Sequence, residues 1–117
     1  MVFFLAAIPK LIQVGGNGGG TIDAVFANSG AVTLPNSGLT LRGGGTSSGV
    51  FNLATGTTLV FDNVENNGTP FNLTHAAPIT GTGNVTFTNY YTNTVNISGT
   101  VAANSITNSG AVTTLSG

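Results

Sequence analysis

Gly49-Val50-Phe51-Asn52-Leu53-Ala54-Thr55-Gly56-Thr57-Thr58-Leu59-Val60-Phe61 decides the fold. Apolar side chains alternate in Phe51-Asn52-Leu53, a turn-forming Ala54-Thr55-Gly56 follows, and the alternation resumes in Leu59-Val60-Phe61. Successive side chains of a strand point to opposite faces, so each tripeptide reads as a short strand with one apolar face. Both signatures recur. Val32-Thr33-Leu34 precedes the first at a spacing of 19 and Phe71-Asn72-Leu73 follows it at 20, while Leu39-Thr40-Leu41 precedes the second at 20 and Ile79 lies 20 beyond Leu59. Two strand signatures on one period mark stacked coils, in which no coil buries its own apolar face and its neighbours complete it. The expected fold is all-β, a parallel β-helix (β-solenoid) with coils of about 20 residues. A hairpin sandwich or barrel also produces short strands between turns, but it gives the two signatures no reason to share a period.

Composition supports strands over helix or disorder. Gly, Thr, Asn and Ser make half of the 117 residues, and all four are poor helix formers. Only 4% of the residues are charged, against about 25% in ordinary soluble domains. Disordered chains lack apolar residues, whereas 40% of this chain is hydrophobic. A net charge of −1, with Lys10 and Arg42 as the sole Lys and Arg, removes the electrostatic case for nucleic acid or anionic membranes. The absence of Cys excludes a disulfide framework and a thiolate metal site.

Two regions are expected. Residues 1–20 hold the apolar run Val2-Phe3-Phe4-Leu5-Ala6-Ala7-Ile8 and a hinge, Gly15-Gly16-Asn17-Gly18-Gly19-Gly20; residues 21–117 form the solenoid. The apolar run is too short to span a bilayer, which needs about twenty apolar residues. Val2, Phe3, Phe4, Leu5 and Ile8 are therefore expected to cap the first coil or contact another subunit, with an ordinary first strand as the plainer alternative. In the solenoid, Ser29-Gly30-Ala31-Val32-Thr33 returns four periods later as Ser109-Gly110-Ala111-Val112-Thr113. That echo predicts a frame held to the last coil. Phe51 is expected to stack on Phe71 and Leu41 on Phe61 in successive coils. Strands stacked about 4.8 Å apart over roughly five coils would make a rod about 25 Å long.

Gly49 to Phe61, with Ile79-Thr80-Gly81-Thr82-Gly83-Asn84-Val85-Thr86-Phe87, resembles the coils of right-handed parallel β-helices in bacterial autotransporter passengers and filamentous-haemagglutinin-type adhesins. The resemblance spans about residues 21 to 115. It implies an extracellular or cell-surface structural protein, with a host surface or a carbohydrate as partner. Similar coils occur in phage fibres, surface-layer proteins and carbohydrate-active enzymes, so the resemblance is more specific for fold than for function. Passengers usually run to many more coils and carry secretion modules. A fragment, or a small subunit that builds length by assembly, fits that departure.

Little in the chain points to catalysis. A β-helical lyase or hydrolase needs carboxylates and basic groups converging on one face, and the acids here are Asp23, Asp62 and Glu65. Asp62 and Glu65 are close enough to share a corner, where solvation of a turn is the simpler role. The glycines from Gly15 superficially resemble a calcium-binding nonapeptide, but Gly20 stands where its Asp belongs, and no Gly-Lys-Ser/Thr follows to make a phosphate loop. His75 alone makes no metal site and is expected at a corner with solvent or backbone partners. No cofactor is expected. Thr-x-Thr pairs at Thr55/Thr57, Thr80/Thr82, Thr86/Thr88 and Thr92/Thr94 resemble the arrays of ice-binding solenoids, although outward threonine is what any half-buried strand displays.

The sequence thus predicts a non-enzymatic extracellular structural protein: a subunit or segment of a self-assembling surface fibre, adhesive in one version, joined end to end with copies of itself. A monomeric adhesin fragment is the alternative, with a carbohydrate-active or ice-binding β-helix behind it. Arg42 follows inward Leu41 and Asp62 follows inward Phe61, so the two should face outward side by side, one coil apart.

Overall fold

Gly- and Asn-rich corners divide the apolar alternations into short parallel strands. The computed structural model describes residues 4–5, 12–13, 19–63, 72–89, 94–109 and 112–116. The strands lie in three sheets. The first holds β1 (Phe4–Leu5), β4 (Val25–Asn28), β7 (Gly45–Ser47), β10 (Asn72–His75), β13 (Thr94–Ile97) and β15 (Val112–Leu115). The second holds β2 (Ile12–Gln13), β5 (Val32–Leu34), β8 (Phe51–Leu53) and β11 (Ile79–Gly81), and Val101 bridges to Ile79 at its edge. The third holds β3 (Gly20–Ile22), β6 (Leu39–Leu41), β9 (Thr58–Asn63), β12 (Asn84–Asn89) and β14 (Ser105–Ser109). Every pair is parallel, and among the described residues there is no helix. From β1 to β11 the chain visits the sheets in a fixed order, returning to each one strand further along.

Register sets which side chains share a column. Val32 pairs with Phe51 and Phe51 with Ile79 in the second sheet. Leu41 pairs with Phe61 and Phe61 with Phe87 in the third. The step along the chain is thus 19 from Val32 to Phe51 and 20 from Leu41 to Phe61, then 28 from Phe51 to Ile79 and 26 from Phe61 to Phe87. Leu41 stacks on Phe61 as the spacing predicts. The next strand partner of Phe51 is Ile79, and Phe71, expected in that place, lies outside the described residues. For the same reason Ile79 joins the column of Phe51 and not that of Leu59, whose partner is Val85. The longer connection between β9 and β10 adds length without adding a strand to the described set, so a fixed count of 20 slips while inward alternation is kept.

The same slippage removes the four-period echo. Val32 lies in β5 of the second sheet and Val112 in β15 of the first, so the two matching pentapeptides occupy different sheets. At the other end, β1 and β2 pair with β4 and β5.

The three sheets enclose one core. Val32, Leu34, Leu59, Val85 and Phe87 are fully buried, and Phe51 and Phe61 lie among them. Phe26 of the first sheet lies 6.1 Å from Phe51 of the second, which meets Phe61 of the third edge-on at 6.3 Å, and Phe61 stacks on Phe87 at 5.3 Å. Aromatic contacts between sheets thus tie the layers together, beyond the area each ring buries. Between the strands the corners pack backbone on backbone. A Cβ on Gly49 would fall 1.7 Å from the carbonyl oxygen of Gly30, so the corner between β7 and β8 admits no side chain at that position.

Candidate functional site

Two polar features stand out, one on each side of the sheets. Outside, Arg42 follows Leu41 at the end of β6, and the pairing of Leu41 with Phe61 places it beside Asp62. Arg42 Nε lies 3.3 Å from Asp62 Oδ2, and its Nη1 lies 3.6 Å from Oδ1 of Asp23, which follows β3. Thr88, opposite Asp62 on β12, donates its hydroxyl to Asp62 Oδ1 at 2.7 Å. Asp23, Arg42, Asp62 and Thr88 therefore form a ladder across four neighbouring strand positions of the third sheet. Asp62 belongs to a six-residue strand and not to a turn, and its side chain is 10% exposed against 71% for Asp23. The solvated-turn role expected for it gives way to a structural one, because both oxygens are engaged by neighbours. Glu65 lies outside the described residues.

Inside, the first sheet carries a column that runs Asn28, Ser47, His75, Ile97 and Leu115 on strands β4, β7, β10, β13 and β15. Asn28 is satisfied: its amide donates to Gly30 O and its Oδ1 accepts from Gly30 N, both at 2.9 Å. Ser47 Oγ and both ring nitrogens of His75 are buried without a hydrogen-bond partner. Each unsatisfied buried group costs about 1–3 kcal/mol of desolvation. The His75 ring, fully buried, lies 4.9 Å from the ring of Phe51. Burial holds its pKa below the ordinary histidine value; nearby backbone groups of Pro78, Ser47 and Ala77, none of them in hydrogen-bonding geometry with the ring, oppose that shift only in part. His75 is thus no corner residue with solvent partners. It ends β10, and strand alternation turns its ring inward.

Of the expected assembly residues, Phe4 and Leu5 form β1 and pair with Val25 and Phe26, whereas Val2, Phe3 and Ile8 lie outside the described residues. At the opposite edge the interior columns come to the surface. Ile106 is 46% exposed and Leu115 48% exposed, although they continue the columns of Val85 and Ile97, which are fully buried. A fixed period does not predict that edge, whereas the inward positions counted along each column do.

The Thr-x-Thr pairs do not make one array. Thr86 and Thr88 share the outer face of β12, but Thr57 is buried and donates to Ala54 O at 2.7 Å, and Thr55 and Thr82 meet each other at a corner at 2.7 Å. Thr92 lies outside the described residues. Among the described residues no three His, Cys, Asp or Glu side chains gather as metal ligands, and no helix is long and apolar enough to cross a membrane. Compared with protein-family models, curated proteins and solved structures, the chain matches none.

Proposed function

We propose that the chain is a three-sided parallel β-helix, a β-solenoid, and that it works as a non-enzymatic structural protein at the cell surface or outside the cell. It serves as a subunit or segment of a self-assembling fibre that can carry adhesion to a host surface or carbohydrate, in the manner of the autotransporter and haemagglutinin-type repeats it resembles. The solenoid reading is supported by the order of pairing, in which parallel strands return to the same three sheets around one core. Polar groups are spent on structure: Asp62, the buried carboxylate, has both oxygens engaged by Arg42 and Thr88.

The observation that carries the assembly reading is the apolar edge at Ile106 and Leu115, on the edge strands β14 and β15. An edge strand offers unpaired N–H and C=O groups to another chain, and few charges here would repel one. β1, β2 and β3 are the edge strands at the other end of the same sheets. Head-to-tail stacking of one end on the other does not close, and so propagates as a filament. The apolar run with Val2, Phe3, Phe4, Leu5 and Ile8 supplies the contact at one end.

Electron microscopy of dilute purified protein tests this reading. Unbranched filaments are expected, together with their loss when residues 2–8 are deleted or Ile106 is replaced by Asp. Single particles at every concentration would reject the fibre. They would favour the second reading, a monomeric segment of a longer passenger in which a further coil covers the same apolar edge.

A further inference from the structure

We propose that His75 is an acid-sensitive element of the core, whose protonation opens the first sheet around β10. His75 is fully buried, and its ring nitrogens have no hydrogen-bond partner. Among the described residues the elements around it offer a cation no counter-charge: β7 presents Ser47, itself unpartnered, β13 presents Ile97, and β8 presents the Phe51 ring at 4.9 Å. The other charged or titratable side chains placed among the described residues, Asp23, Arg42 and Asp62, form the ladder on the outer side of the third sheet. None faces the imidazole. A neutral ring is tolerated there as an aromatic body packed on Phe51, whereas a charged one would be a desolvated ion that the backbone groups of Pro78, Ser47 and Ala77 compensate only in part.

The direction of the effect follows from linkage. Burial lowers the folded-state pKa of His75 below its unfolded value. Above about pH 6.5 the residue is neutral in both states and contributes no pH dependence. As the pH falls below that value, the unfolded chain takes up a proton that the folded chain refuses, so stability declines until the folded pKa is reached. Within that window the unfolding constant should rise by up to about tenfold per pH unit on account of His75. The residue sits midway along its column, between the polar Asn28 and Ser47 and the apolar Ile97 and Leu115, so the opening separates the two parts of the stack.

The test is urea unfolding of the full chain between pH 8 and pH 5, for the wild type and for His75→Leu. The wild type should lose stability below about pH 6.5, and His75→Leu should lose less by the tenfold-per-unit term. Equal pH dependence in the two proteins would overturn the proposal. Should His75→Leu fail to fold, the imidazole resonances of the wild type decide alone, because His75 is the single histidine of the sequence and its signals are unambiguous. A ring that stays neutral while folded signals persist, and is protonated only as they vanish, supports the proposal. A ring that titrates at or above about pH 6.5 with the fold intact rejects it.

Discussion

Arg42 Nε meets Asp62 Oδ2 at 3.3 Å across neighbouring strands of the third sheet, although the two are far apart along the chain. The pair reports strand register, since a slip of one residue would send either side chain to the opposite face. It is unequal in exposure: the Asp62 side chain is 10% exposed and that of Arg42 40%. Removing the arginine leaves a nearly buried carboxylate whose remaining partner among the described residues is Thr88.

Arg42→Ala is therefore expected to lower stability by about 1–2 kcal/mol, within the range for hydrogen bonds to charged groups and reduced for the solvent that reaches the guanidinium. Asp23→Ala, at the exposed end of the ladder, should change stability by less than about 0.5 kcal/mol. Urea unfolding at one pH and salt concentration measures both. Equal losses would mean that Asp62 gains nothing special from its strand position.

Phe61→Ala should cost about 3–5 kcal/mol, because the ring fills the core between Phe51 and Phe87 and its removal leaves a cavity. Phe61→Leu keeps most of the volume and should cost under about 2 kcal/mol. A small effect of the alanine substitution in urea titrations would place the ring outside the core.

The same glycine substitution should have unlike consequences at two corners. At Gly49 a new Cβ would meet the Gly30 carbonyl at 1.7 Å, so Gly49→Ala must push two stacked corners apart and is expected to prevent cooperative folding. Gly56, at φ +82°, has nothing within 4 Å, and Gly56→Ala should cost only the strain of the left-handed region, about 1–2 kcal/mol. Circular dichroism melts of the two variants make the comparison. A well-folded Gly49→Ala protein would contradict the stacking of the β7–β8 corner on the corner beneath it.

Inward alternation was legible in the sequence and constant period was not. Val32, Leu34, Leu39, Leu41, Leu59 and Phe61 could be assigned to the interior because each lies two positions from an apolar partner within a short strand, and the burial of all six follows from that. Beyond Asn63 the connections vary in length. Since a corner can lengthen without disturbing the strands it joins, no fixed count carries Phe51 to Ile79. His75 escaped for another reason. Histidine is intermediate in its preference for burial, so residue type does not decide its place, and it is the strand position that buries it. The Arg42–Asp62 pair was readable because both residues directly follow inward side chains in the segment where the step is still 20.

The most direct measurement is a map of backbone NMR contacts between strands in the full chain. Parallel contacts are expected to link Val32 to Phe51 and Phe51 to Ile79 in one sheet, and Leu41 to Phe61 and Phe61 to Phe87 in another. Antiparallel ladders between strands adjacent in sequence, such as β8 with β9, would contradict that pairing.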